Sequence, residues 1–138
     1  MNQRGQALTE TILLGLVLLV PLIWTLGVLA DIHRTALAVT SAAHDASVAA
    51  AAASDPIAAR SAIDDAVERA LDSHRLDPRV ARVSSDIDPR LRRGSALAIE
   101  VRVPVTVLQA PLIGRVSGPS IWVEARRVVR VPLYGSRG

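Results

Sequence analysis

An uninterrupted apolar segment near the start of the chain constrains its fold more than any other feature. The twenty residues from Thr11 to Ala30 include no charged side chain, and as a helix they would be about 30 Å long. This length matches the hydrocarbon core of a bilayer. The rest of the 138-residue chain is too small to bury every face of such a helix. The segment is therefore predicted to span a membrane, with a mild bend at Pro21.

Two interpretations of this segment lead to different mature proteins. In the first, it is a secretory signal peptide, because Arg4 precedes the apolar run and small residues end it at Val28 and Ala30. Cleavage there would release a chain that begins at Asp31. The apolar run is longer than the usual signal core of about 7 to 15 residues, and Glu10 interrupts its approach from Arg4.

The second interpretation starts from the residues that precede the apolar run. A short polar leader ends in Gly5, and Glu10 lies five residues beyond that glycine at the threshold of the apolar helix. This arrangement resembles the class III signal of type IV prepilins, which a membrane-embedded prepilin peptidase cuts after the glycine. The resemblance implies cleavage between Gly5 and Gln6, loss of the leader 1–5 and retention of a transmembrane helix over 6–30.

Gly5 and Glu10 each suit this signal for a physical reason. Without a side chain, Gly5 allows the chain to pass an intramembrane active site in an extended form. For Glu10 two roles are open. A carboxylate in the first helical turn is favoured by the helix dipole by about 0.3 to 1 kcal/mol. Alternatively, Glu10 neutralises the new amino terminus of a neighbouring subunit and so sets the register, because an unpaired charge in hydrocarbon costs a few kcal/mol.

The helical pattern is predicted to continue beyond the membrane over residues 31–53, which contain no glycine or proline and are rich in alanine. Within this extension, alanines recur every four residues and form a strip along which another helix or a sheet could approach closely. Simple helix propensity explains the same alanines equally well. The strip consists of Ala38, Ala42, Ala46 and Ala50.

Residues 54–138 are predicted to form a small extracytoplasmic α+β domain that begins with an amphipathic helix. Asp55 is suited to cap this helix, and Pro56 suits its first position. The helix should end before Pro78. Its predicted buried face follows helical spacing and consists of Ile63, Ala66, Val67, Ala70 and Leu71.

After Pro78 the apolar period changes from helical to two, which is typical of strands. The clearest strand is 97–107, where Pro104 indicates an edge position or a bulge. A second strand is predicted over 121–131, where Arg127 interrupts the apolar face and suggests a bulge or a strand end. A weaker strand is predicted over about 79–87. We expect an antiparallel sheet of about three strands, covered by the helices.

Composition and motifs argue against several classes of function. The chain has no cysteine, which excludes disulfides, thiolate metal sites and a cysteine nucleophile. It lacks the nucleophile-elbow, zinc-protease and phosphate-loop motifs, so we expect no enzyme activity, no cofactor and no metal. The sixteen basic residues are spread along the chain, which does not favour nucleic acid as a partner. His33, His44 and the arginines at 90, 92 and 93 are interpreted as solvated.

The order of these features is similar to that of the TadE-like minor pseudopilins of tight-adherence (Tad/Flp) pilus systems. The opening residues 4–10 and Val20-Pro21-Leu22 within the apolar span carry the closest match. The resemblance implies a type IV pilin-like fold and a role as a structural or assembly subunit of the pilus. It also implies a single-pass protein of the cytoplasmic membrane, with its amino terminus inside and its C-terminal domain outside.

The partners implied by this resemblance are the prepilin peptidase, other pilins and pseudopilins, the Tad/Flp inner-membrane assembly machinery and membrane lipid. A different class of function stays open beside it. In that alternative the chain is a secreted or membrane-anchored binding domain, released or held by a conventional signal sequence, with no filament partners.

Overall fold

The computed structural model describes residues 3–88, 90, 94–107 and 118–132, with side chains from residue 7 onward. In this part of the chain two helices precede a three-stranded antiparallel sheet, so the predicted α+β layout is confirmed. The elements are α1 (Gln3–Ala52), α2 (Pro56–Ser73), a short 3-10 helix (Pro78–Val80), β1 (Arg82–Asp86), β2 (Ala96–Thr106) and β3 (Ser120–Arg130). The chain forms two compact units, Met1–Asp31 and Ile32–Gly138.

α1 continues through Pro21 as uninterrupted helix. Proline has no N–H to donate to the carbonyl four residues earlier, so one helical hydrogen bond is missing at this point. The hydroxyl of Thr25 donates to the Pro21 carbonyl over 2.7 Å. Side-chain bonds of this kind often bend helices, and the bend expected at Pro21 stays a prediction.

The core of the second unit lies between the helices and one face of the sheet. One face of α1 contributes mainly alanines, and α2 contributes Ile63 and Leu71, both at most 1% exposed. β2 contributes alternate residues, among them Ile99 and Val101, both 0% exposed. All of these side chains belong to one buried cluster. Because a methyl group is short, alanines allow the backbone of α1 to pack closely on larger aliphatic side chains.

The sheet has the strand order β1-β2-β3, and β2 pairs with β3 along its full length. The expected bulge or strand end at Arg127 is wrong, because Arg127 pairs with Ile99 in an unbroken antiparallel register. The physical reason lies in the position of β3 at the sheet edge. The helix-facing row of β3 is only half buried, so the long Arg127 side chain reaches solvent there.

Pro104 lies in the central strand without costing a sheet hydrogen bond. The Val107 N–H donates to the Pro119 carbonyl over 3.1 Å, so odd-numbered residues of β2 direct their main-chain groups toward β3 and even-numbered residues toward β1. The Pro104 nitrogen therefore faces β1. Because β1 begins only at Arg82, opposite Arg102, this stretch of β2 is a local edge. This agrees with the edge position predicted from the sequence.

The first strand is shorter than the predicted span of 79–87. Pro78–Val80 forms a 3-10 turn instead, in which the Asp77 carboxylate accepts the Arg79 N–H over 2.9 Å. All five residues of β1 are exposed, so the strand has no alternation of buried and exposed side chains that would define its limits in the sequence.

A glycine bulge closes the start of β2 against the end of β3. The Gly94 N–H donates to the Val131 carbonyl and the Val131 N–H donates to the Ser95 carbonyl, both over 3.0 Å. Gly94 has a φ of 82°, which a residue with a Cβ adopts only with strain. This is the bulge type in which the first residue is a left-handed glycine.

Asp55 caps α2 as the sequence predicts. Its carboxylate accepts the N–H groups of Ile57 at 2.9 Å and Ala58 at 2.8 Å, and Pro56 occupies the first helical turn. These bonds, that of Ala58 above all, hold the pKa of Asp55 below its ordinary value of 3.8. The cap therefore depends on the ionised carboxylate.

We expect the stability of the second unit to decrease as pH falls through this lowered pKa. A carboxyl group whose folded pKa is depressed contributes its stability fully above the unfolded value and loses it as the folded form is protonated. Asp55→Asn, which caps a helix without titrating, is expected to flatten this part of the pH profile. Thermal melting followed by circular dichroism from about pH 5 to about pH 2 measures it. Asp64→Asn is the control and should keep the wild-type profile; an unchanged profile for Asp55→Asn would contradict the assignment.

Candidate functional site

The first unit presents an apolar surface along α1. Among the described residues, α1 is the one helix that is long and apolar enough to cross a membrane, and its most apolar window is 0% buried. Thirteen large aliphatic side chains between Leu8 and Leu29 are more than half exposed. An exposed apolar area of this extent marks a surface for lipid or for another protein.

Glu10 is the one charged residue between residues 7 and 30. Its side chain is exposed, and among the described residues it has no hydrogen-bond or ion-pair partner. Leu13 and Leu14, one turn further along α1, are each 60% exposed. The carboxylate therefore lies beside an apolar surface and is free to pair with a cation from outside the chain.

The hydroxyl groups within the apolar run are satisfied inside the helix. Thr11 donates to the Ala7 carbonyl over 2.9 Å, and Thr25 donates to the Pro21 carbonyl over 2.7 Å. Bonds of this kind lower the penalty of placing polar side chains in hydrocarbon. Glu10 is consequently the group whose insertion into lipid would carry a large penalty.

The predicted cleavage site lies at the very start of α1. Gly5 and Gln6 belong to the helix, which begins at Gln3, while the side chain of Gln6 and all of Met1 and Asn2 lie outside the described residues. The first N–H groups of a helix have no intrahelical partners, and glycine lowers helix stability. The Gly5–Gln6 peptide bond therefore lies in the turn that opens most easily into an extended form. Its cleavage stays a prediction.

The predicted alanine strip lies inside the second unit. Each of its four residues is 0% exposed and belongs to the cluster that also contains side chains of α2 and β2. Because these methyl groups are buried within the chain, they cannot contact another subunit. The strip consists of Ala38, Ala42, Ala46 and Ala50.

The outer face of the sheet carries a group of polar contacts that the sequence pattern does not reveal. Arg102 forms ion pairs with Glu100 on its own strand and with Glu124 on β3, the latter at 3.2 Å. Arg82 lies over the Trp122 ring, 4.7 Å from its centroid. These partners come from three strands, so only the register of the sheet brings them together.

For the described residues to bind a metal ion, their side chains must have the geometry that a metal site requires. None of their His, Asp and Glu side chains form a group of three that could hold a metal ion. A groove of about 440 Å³ between α1 and α2 is lined by His44, Asp45 and Arg69 among others. Its remaining lining is largely alanine and valine. His33 and His44 are both exposed, in agreement with their interpretation as solvated.

Comparisons with protein-family models, with curated proteins and with solved structures find no match to this chain.

Proposed function

We propose that this chain is a minor pilin or pseudopilin, a structural or assembly subunit of a Tad/Flp type IV pilus that is processed by a prepilin peptidase. One observation carries the proposal. Near its start, an exposed apolar helix carries a carboxylate, Glu10, that has no partner among the described residues, and the same helix continues into the core of a small α+β domain.

Glu10 distinguishes this proposal from a simple membrane anchor. An anchor needs length and apolar surface, which residues 11–30 supply by themselves. A carboxylate at the edge of hydrocarbon adds a penalty unless it meets a positive group. The new amino terminus of a neighbouring subunit supplies such a group once the leader is removed, and pairing with it would align neighbouring helices.

The proposed location is the cytoplasmic membrane, with the amino terminus inside and the C-terminal domain extracytoplasmic. The apolar surface of α1 supports membrane insertion, and Arg4 on the inner side agrees with the positive-inside tendency. Lipid, the prepilin peptidase, other pilins and the inner-membrane assembly machinery are the proposed partners. The described residues suggest no cofactor.

The second candidate is a binding domain released by a conventional signal peptidase. It is favoured by the boundary between the two compact units, which falls at Asp31, where such cleavage would start the mature chain. The second unit contains every residue of the buried cluster. The two candidates differ in whether the apolar part of α1 remains attached.

Gly5→Val is expected to block removal of the leader while membrane insertion continues. The substituted chain should keep its full-length mass, because the valine side chain blocks the close approach of the backbone to the peptidase that glycine allows. The measurement is the intact mass of the chain purified from membranes of cells that contain the prepilin peptidase.

Gly15→Val is the matched control for this variant. A Cβ added at Gly15 meets nothing within 4 Å, so the chain should insert and lose its leader as the wild type does. Normal processing of Gly5→Val would contradict the assigned cleavage site, and so would blocked processing of Gly15→Val.

A further inference from the structure

The even-numbered side chains of β3 form a row on the outer face of the sheet, and only some of them have a partner among the described residues. In this row Glu124 pairs with Arg102, and Trp122 stacks with Arg82. The remaining members are Arg126, Val128 and Arg130, here named the arginine row. Among the described residues neither arginine has an ion-pair partner, and Val128 between them is 60% exposed.

One exposed side of α2, bordered by Arg60 and Arg69, carries acidic residues. Its acidic residues recur at helical spacing and share one exposed side of the helix with Ser61. None of their carboxylates is paired with a described residue. This surface, here named the acidic face, consists of Ser61, Asp64, Asp65, Glu68 and Asp72.

The arginine row and the acidic face point to opposite sides of the second unit. The buried side of α2 and the odd-numbered side chains of β2 belong to the same cluster, so the exposed side of α2 faces away from the outer face of the sheet. The arginine row lies on the outer face, because Val128 pairs with the even-numbered Ala98. The two surfaces therefore cannot meet within one chain.

We propose that the acidic face of one copy of this chain docks on the arginine row of a second copy. Charge complementarity selects the occupant, because each surface carries charges that have no ion-pair partner in the described part of the chain and that the other surface can neutralise. A contact between two different surfaces leaves one of each surface free on the pair, so it can repeat from copy to copy as an open row or a ring. Val128 and the neighbouring Ala98 supply an apolar centre to the contact.

The contact is weak for free molecules and gains strength in a membrane. Exposed ion pairs contribute about 0 to 1 kcal/mol each, which is too little to hold a dilute dimer. Chains anchored in one membrane have a high effective concentration, so a weak contact can be populated without new interactions. The inference rests on the proposed function only in requiring that the chains be anchored in one membrane. It does not require removal of the leader.

Cross-linking in native membranes tests the contact, since the wild-type chain has no cysteine. Two full-length, differently tagged copies are co-expressed, one with Ser61→Cys and the other with Val128→Cys, at the centres of the two surfaces. A short bifunctional maleimide should join them into a mixed dimer. The yield should fall severalfold when salt is raised from about 0.05 M to about 0.5 M. Thr40→Cys, on an exposed position of α1, replaces Ser61→Cys in the control.

A charge swap makes the test specific. Arg126→Glu with Arg130→Glu in the Val128→Cys copy should lower the yield about tenfold or more, because like charges then face each other. Asp65→Arg with Glu68→Arg in the Ser61→Cys copy should restore it. Thermal melting confirms that each variant is folded. The inference is overturned if the mixed yield equals that of the Thr40→Cys control, if Ser61→Cys copies join mainly with each other, or if the swapped pair is not restored. None of these outcomes depends on where the leader is cut.

Discussion

Glu10→Gln is expected to reduce the recovery of this chain in assemblies larger than the monomer by about tenfold or more, while insertion and leader removal proceed as in the wild type. Glutamine keeps the size of the side chain and removes its charge, so the amino terminus of a neighbouring subunit loses its partner. An unpaired charge in hydrocarbon costs a few kcal/mol, and each 1.4 kcal/mol corresponds to a factor of ten. Native gels of detergent-solubilised membranes measure the assembled fraction.

Glu10→Asp is the control for this experiment, because it keeps the charge and should retain most of the assembly. Processing serves as a second readout, since Gly5 is untouched in both variants. Assembly of Glu10→Gln at the wild-type level would contradict this role of the carboxylate. The alternative role in the first helical turn does not apply, because α1 begins at Gln3 and Glu10 lies beyond its first turn.

Ile99→Ala is expected to lower the free energy of unfolding of the second unit by about 2 to 5 kcal/mol. Ile99 is 0% exposed in the central strand, with β1 on one side and β3 on the other. Truncation leaves a cavity that the paired strands cannot close by moving together. Thermal melting of the full-length chain in detergent should show a decrease in Tm of roughly 8 °C or more.

Val128→Ala is the matched control, on the opposite face of the same sheet. Its side chain is 60% exposed, so the change in stability should stay within about 0.5 kcal/mol. Similar losses for the two variants would mean that the core does not lie on the helix-facing side of β2.

Strands with an alternating apolar pattern were predictable from the sequence, whereas the strand without one was not. The alternation in β2 and β3 predicted spans of 97–107 and 121–131, and the structure places them at Ala96–Thr106 and Ser120–Arg130. β1 has no buried side chain, so its limits had no sequence signal. Arg127 was misread because alternation alone does not show that its strand lies at a half-covered edge.

The same distinction holds for the helices: the start of α2 was predictable from the sequence, and the packing of α1 was not. Asp55 and Pro56 predicted the start of α2 because capping is a local interaction. The alanines of α1 predicted a helix, but their propensity could not show that α2 and β2 of the same chain bury them. Arg82 and Trp122 meet only through the register of three strands, so no local pattern reveals their contact.

The candidate site could be predicted from the sequence because its residues are neighbours along one helix. Glu10 and the apolar run follow one another along a single helix, so their spacing in the sequence is their spacing in the structure. The arginine row and the acidic face were not predicted. Recognising them required the sheet register, the buried side of α2 and the ion pairs that the neighbouring charges form.

The central claim is that the leader is removed after Gly5 while the apolar helix is retained. Identifying the first residue of the mature chain tests this claim most directly. The chain is purified from the membrane and soluble fractions of its native cells, and its first residue is identified by mass spectrometry. A chain that begins at Gln6 and stays in the membrane fraction with its apolar helix is the predicted result. A soluble chain that begins at Asp31 would contradict the claim.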